Sequence, residues 1–130
     1  MTTMVERDPA ATSLGIELVE AAPGRAEVRM RVRPDMLNGH GTCHGGVVFT
    51  LADTAFAVAC NTDRDVTVAA GATIEFLAPA RDGAILTARC AERARQGRSG
   101  YYEVDVVADD GAIIALFQGR SRTIGAPPAR

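Results

Sequence analysis

Ala26, Val28, Met30 and Val32 alternate with Glu27, Arg29 and Arg31. Apolar residues opposite charges at period two predict a half-buried strand. Leu14–Val32 as a whole predicts a hairpin, with Pro23–Gly24 as its turn. The first dozen residues, polar or alanine-rich, have the composition of a short helix ending before Leu14. A long loop, PDMLNGHGTCHGG, then runs into VVFTLADTAFAVAC, Val47–Cys60. This piece is alanine-rich, has no proline or glycine, and is apolar on almost every face, so it predicts a helix enclosed by the rest of the protein. Asn61 ends it. Strand texture returns over Val66–Leu77, Ala84–Cys90 or beyond, Tyr101–Ala108 and Ala112–Ile124. In the third of these, Tyr102, Val104, Val106 and Ala108 oppose Tyr101, Glu103, Asp105 and Val107. Turns are expected at Pro79–Gly83, Gln96–Gly100 and Asp109–Gly111, the last with hairpin chemistry. The order is ββαββββ. One wholly buried helix among about six antiparallel strands defines an α+β class, with the sheet curling around the helix.

A length of 130 residues fits one domain, 1–130, with a loosely ordered tail at 125–130. The net charge of −2 argues against nucleic acid or an acidic membrane surface as partner. All 14 basic residues are arginine. Without lysine there is no Schiff-base chemistry, pyridoxal-phosphate anchor or P-loop. Cys43, Cys60 and Cys90 are odd in number and widely spaced, the pattern of a reducing compartment and not of a disulfide scaffold. The opening MTTMVERDPA carries acids and a proline where a secretory leader needs a basic and then an apolar block. Val47–Cys60 is interrupted by Thr50, Asp53 and Thr54 and is too short to span a bilayer. A soluble cytoplasmic protein without membrane contact is the expectation.

The unusual polar residues fall between Asn38 and Asp53. Asp53 lies among Leu51, Ala52, Ala55 and Phe56, where a carboxylate is costly unless paired. It faces a small solvated gap, bonds to a neighbouring threonine, or marks a site, and a lone acid in an apolar helix favours the site. His44-Gly45-Gly46 stands at the start of the helix, where first-turn N–H groups are unpaired and at the positive end of the dipole. Such an end receives a carbonyl oxygen that becomes negative during reaction. The same glycines also serve a loop turn or close packing. His40, Cys43 and His44 have metal-donor types at short spacing but no fourth ligand nearby, so no metal is expected. A Cys–His nucleophilic pair lacks an orienting group for the histidine. Asn38 fits a turn residue as well as a functional amide, and no serine lies in a GxSxG setting.

The stretch MLNGHGTCHGGVVFTLADTAFAVACNT closely resembles the signature of hotdog-fold acyl-CoA thioesterases, above all their PaaI-type branch, associated with phenylacetyl-CoA catabolism. The likeness extends through GATIEFLAPARDG, RQGRSGYYEVDV and ALFQGRSRTIG. The resemblance implies a hotdog fold, a long helix wrapped by a curved antiparallel sheet. It implies Asp53 as catalytic base or nucleophile, the Gly45 amide polarising the thioester carbonyl, and His44 and Asn38 as supporting polar groups. It also implies tetramers built as dimers of dimers, with no cofactor beyond the coenzyme A of the substrate. Arg81, Arg98, Arg120 and Arg122 lie near predicted strand ends and are candidates for the coenzyme's phosphates, which guanidinium forks suit, although each taken singly better fits an ordinary solvated surface arginine. The expected reaction is hydrolysis of phenylacetyl-CoA or a hydroxylated aryl-acetyl-CoA. A non-catalytic acyl-CoA-binding module and a hotdog enoyl-CoA hydratase are the alternatives. Helix geometry adds one expectation. Gly45 and Asp53 are eight residues apart, roughly 12 Å along one helix axis at 1.5 Å per residue. An aspartate cannot close that gap on its own helix, so each site is expected to take Gly45 from one subunit and Asp53 from another.

Overall fold

The computed structural model describes residues 3–62 and 65–125; the tail expected to be loosely ordered lies, from residue 126 on, outside them. The chain runs through α1 (Pro9–Ser13), β1 (Glu17–Ala22), β2 (Arg25–Arg31), a single 3-10 turn at Pro34–Met36, α2 (Gly45–Asn61), β3 (Val66–Phe76), β4 (Ile85–Gln96), β5 (Ser99–Ala108) and β6 (Ile113–Gly125). The six strands form one sheet in the order β1-β2-β4-β5-β6-β3. Every neighbouring pair is antiparallel. This is the hotdog architecture. Among the described residues no helix is long and apolar enough to cross a membrane.

The alternation read from β2 and β5 is the one the fold uses. Ala26, Val28 and Met30 face inward, as do Tyr102, Val104, Val106 and Ala108. They meet Leu51, Ala52, Ala55, Phe56 and Ala59 of α2, each 1% exposed or less. Phe56 stacks obliquely between Tyr102 and Phe117, with centroids 5.3 and 5.8 Å away. A side chain at position 119 would collide with that ring, since a Cβ there would stand 2.8 Å from it. Gly119 therefore lets the sheet close onto the helix.

Two expectations need correction. The β4–β5 turn is tighter than the span Gln96–Gly100, because the ladder continues through Arg95↔Gly100 and Gln96↔Ser99. More important for function, α2 is not wholly enclosed. Gly46 is exposed and Thr50, Asp53 and Ala57 are half-buried. Their spacing of four, three and four residues puts them on one stripe of the helix. The sheet curls around the other sides and stops, with β3 as its last strand. That edge strand, VTVAAGATIEF, is exposed along most of its length and carries one charge, Glu75.

The amino-terminal segment is tied to the same core. The Asp8 carboxylate caps α1 by accepting from the Ala11 N–H at 3.0 Å, while Val5, Ala11 and Ile16 are buried. The helix α1 packs against α2.

Candidate active site

The loop ahead of α2 is built on Asn38. Its Oδ1 accepts from the His40 N–H at 2.9 Å, the Thr42 N–H at 3.2 Å and the Thr42 hydroxyl at 3.4 Å. Its backbone N–H donates to the Thr42 carbonyl at 2.8 Å. Asn38 is thus the turn residue of this loop, and it also lines the adjoining cavity. The loop is pinned at its far end as well: the Cys43 N–H donates to the Ala80 carbonyl at 2.7 Å and the His44 N–H to the Met36 carbonyl at 2.8 Å. The start of α2 is therefore held by two separate segments, residues 36–38 and 80–81.

His44 caps that start. Its Nδ1 accepts from the Gly46 N–H at 3.5 Å, which requires that nitrogen to carry no proton. The His44 carbonyl accepts from the Val47 and Val48 N–H groups at 2.9 and 3.2 Å. Three of the four first-turn donors are thereby occupied. Among the described residues the Gly45 N–H has no acceptor, so it is the donor of this helix end offered to a ligand.

Gly45 opens onto a cavity of about 410 Å³. Asn38 and Thr42 supply its polar side, with Val48, Leu77, Pro79 and Ile114 among its apolar walls. Phe76, at the end of β3, lies against Gly45. Phe76 and Leu77 were not singled out from the sequence, although they fall inside GATIEFLAPARDG; the signal was an aromatic closing a strand just ahead of a proline. Cys43 also lines this cavity, but it is buried, and burial pushes its thiol pKa up. A thiol held protonated is a poor nucleophile or metal ligand. No group of three or more His, Cys, Asp or Glu side chains that could hold a metal occurs among the described residues.

Asp53 is not at this cavity. It sits two turns along α2, half-buried on the open stripe, with no hydrogen-bond or ion-pair partner among the described residues. Burial raises its pKa, and the Asp8 carboxylate of the adjoining α1 raises it further. Sequence reasoning missed Asp8, because it lies far along the chain from the acid whose charge it opposes. Of the four candidate arginines, Arg81 pairs its backbone with that of Thr42 and follows Ala80, both of which line the cavity. Arg98 lies in the β4–β5 turn near Asp65 and Arg95. Arg120 and Arg122 point outward from β6, and Arg120 donates to the Ala70 carbonyl at 3.3 Å. One chain therefore brings Asn38, His44 and Gly45 together and leaves Asp53 apart.

A family model described as the thioesterase superfamily matches residues 40–115, more than half of the chain. Acyl-coenzyme A thioesterase PaaI of Escherichia coli (strain K12) is 44% identical over 122 residues, which is 94% of this chain and 87% of that protein. The solved structure of the E. coli PaaI protein from the phenylacetic acid degradation operon has a TM-score of 0.92 at 44% identity, covering 95% of this chain and 89% of that one. A mutant of the phenylacetic acid degradation protein PaaI from Thermus thermophilus gives a TM-score of 0.86 at 39% identity, covering 90% of this chain and all of that one. By the family model over residues 40–115 and the 44% identity to a thioesterase over nearly its whole length, the chain belongs to the thioesterase superfamily and is a thioester hydrolase.

Proposed function

We propose that the protein hydrolyses an acyl-CoA thioester, an aryl-acetyl-CoA such as phenylacetyl-CoA or a hydroxylated form of it, to the free acid and CoA. The observation that carries this reading is that one helix, α2, bears an N–H and a carboxylate that are both without a partner among the described residues: the Gly45 N–H beside the cavity, and Asp53 further along on the open stripe. A thioester needs little more. Its thiolate leaving group, with a conjugate acid near pKa ~8.5 if cysteine is the guide, departs without strong acid help. The Gly45 N–H takes the carbonyl oxygen as it becomes negative, an interaction of roughly 3 to 4 kcal/mol in comparable sites. Asp53 supplies the electron pair, to water or to the carbonyl carbon itself. On the water route Asp53 takes a proton from water as its oxygen adds to the carbonyl carbon, and collapse of the tetrahedral intermediate expels the thiolate, which takes that proton back. On the direct route collapse leaves an acyl–Asp53 anhydride and the thiolate, and a water then hydrolyses the anhydride to the free acid. No cofactor is required, since CoA enters as part of the substrate.

The two groups meet only if two chains meet. The reading therefore includes a homodimer in which the Gly45 cavity of one copy faces Asp53 of another, doubled by a two-fold axis. The long, nearly uncharged edge of β3 beside the open stripe of α2 supports it, because an unpaired apolar edge is a template for a second strand. A dimer of dimers would use a further apolar surface, and Tyr101, Ile113 and Leu116 are exposed on β5 and β6. Arg81, whose backbone pairs with that of cavity-lining Thr42, is proposed to meet a coenzyme phosphate. The three free, buried cysteines fit a cytoplasmic setting.

The test is incubation with phenylacetyl-CoA and a thiol reagent. Stoichiometric free CoA is expected. Binding without thiol release would make the protein an acyl-CoA-binding module, and an absorbance change without thiol release on an enoyl-CoA would make it a hydratase.

A further inference from the structure

Resting on the function proposed above, we infer that the cavity at Gly45 takes the acyl group and that Phe76 is its specificity-determining side chain, selecting planar aryl groups over saturated ones. Its ring lies flat on the start of α2. A Cβ built on Gly45 would stand 3.1 Å from Cζ and 3.4 and 3.5 Å from the two Cε atoms. A point nearly as close to both Cε atoms as to Cζ lies over the ring face; beyond the ring tip the Cε atoms would be clearly farther off. Gly45 thus does two things: it offers the free N–H, and its missing side chain makes room for an aromatic plane at that N–H.

The ring is not spent on this contact. Phe76 remains 55% exposed, although it forms part of the cavity wall. It is the one aromatic among residues lining the cavity, where Val48, Leu77 and Ile114 are aliphatic. A thioester whose oxygen sits on the Gly45 N–H has its acyl carbon within reach of the same ring. An aryl group one methylene beyond that carbon packs against Phe76 in an offset or edge-on pair. Such a pair contributes beyond the apolar area it buries, by an amount equal to a roughly three- to tenfold preference. A saturated ring of the same size buries similar area but lacks the pair.

The experiment compares kcat/KM for phenylacetyl-CoA and cyclohexylacetyl-CoA in the wild type, Phe76→Leu, Phe76→Met and Phe76→Tyr, each checked for its oligomeric state. The wild type should favour the phenyl substrate. Phe76→Leu and Phe76→Met should lose that preference by about three- to tenfold, and Phe76→Tyr, which keeps the ring, should hold it. An unchanged substrate ratio in either ring-less variant that still turns over would overturn the role of Phe76. So would a change in oligomeric state with no change in the ratio, since that makes Phe76 an interface residue only. A wild type that releases no thiol from any acyl-CoA would overturn the proposed function, and this inference with it; that outcome is told apart by failing before any variant is compared.

Discussion

Asp53 is held where its charged form is least welcome, and this couples activity to stability. Burial first, and the Asp8 carboxylate second, raise its pKa in the folded chain. The folded state therefore holds that proton more tightly than the unfolded one, whose aspartate titrates near ~3.9. The destabilisation is absent below the unfolded pKa and fully present above the folded one. Asp53→Asn should accordingly raise Tm at neutral pH, with the gain shrinking as pH falls through the raised pKa. The same variant should lower kcat by at least about a hundredfold, as loss of a general base does. Near-normal turnover in well-assembled Asp53→Asn would remove the residue from the mechanism. In the wild type the acid limb of kcat/KM should lie above the ordinary carboxylate range. Asp8→Asn should move that limb to lower pH without bringing it to the ordinary value, because burial is the larger cause. A limb that stays in place would mean that Asp8 does not act on Asp53.

At the scale of elements, β3 is the strand whose sequence makes sense only with company. It runs for 11 residues with a single charge and pairs with β6 alone. Natural edges of that kind are normally blunted by charge, proline or a covering segment. The stripe of α2 left open beside it, Gly46, Thr50, Asp53 and Ala57, is made of small or polar side chains that let another backbone come close. A lysine in the middle of the edge should block strand addition while leaving the exposed position free of clashes within the chain. Ala72→Lys is expected to keep its circular dichroism, to run smaller by light scattering, and to lose turnover in step with the loss of dimer. A monomeric Ala72→Lys with full activity would break the link between this edge and the site.

The whole molecule is expected to work only as an assembly, and complementation tests that directly. Asp53→Ala removes the carboxylate. Gly45→Pro removes the N–H at a position where a helix start tolerates proline, and its added carbons press on a Phe76 ring that is exposed enough to yield. Each variant alone should be inactive. In a mixed dimer one site has both wild-type groups and the other has neither, so coexpression should restore activity. Mixed dimers that stay inactive while both parent proteins assemble normally would rule out a site shared between chains.

What the sequence determined by itself was what depends on near neighbours along the chain. Alternation in β2 and β5 states which face is buried, because side chains point to opposite sides of a strand at every step. The apolar run before Asn61 states the helix, and the bare Asp53 within it states a cost that some function must justify. His44-Gly45-Gly46 states a helix start for the same local reason. Tertiary structure alone decided what depends on residues far apart. That Asn38 spends its oxygen on the loop follows from a fold-back that brings Thr42 onto it. That the Asp8 charge acts on Asp53 follows from α1 docking on α2, a contact no spacing along the chain encodes. The helix read as wholly enclosed turned out open on one stripe, because apolarity says that a face must be covered but not by which chain. Phe76 reached Gly45 through the crossing of β3 to the far edge of the sheet, and strand order is set by which pairings bury the most, a property of the folded molecule and not of any segment within it.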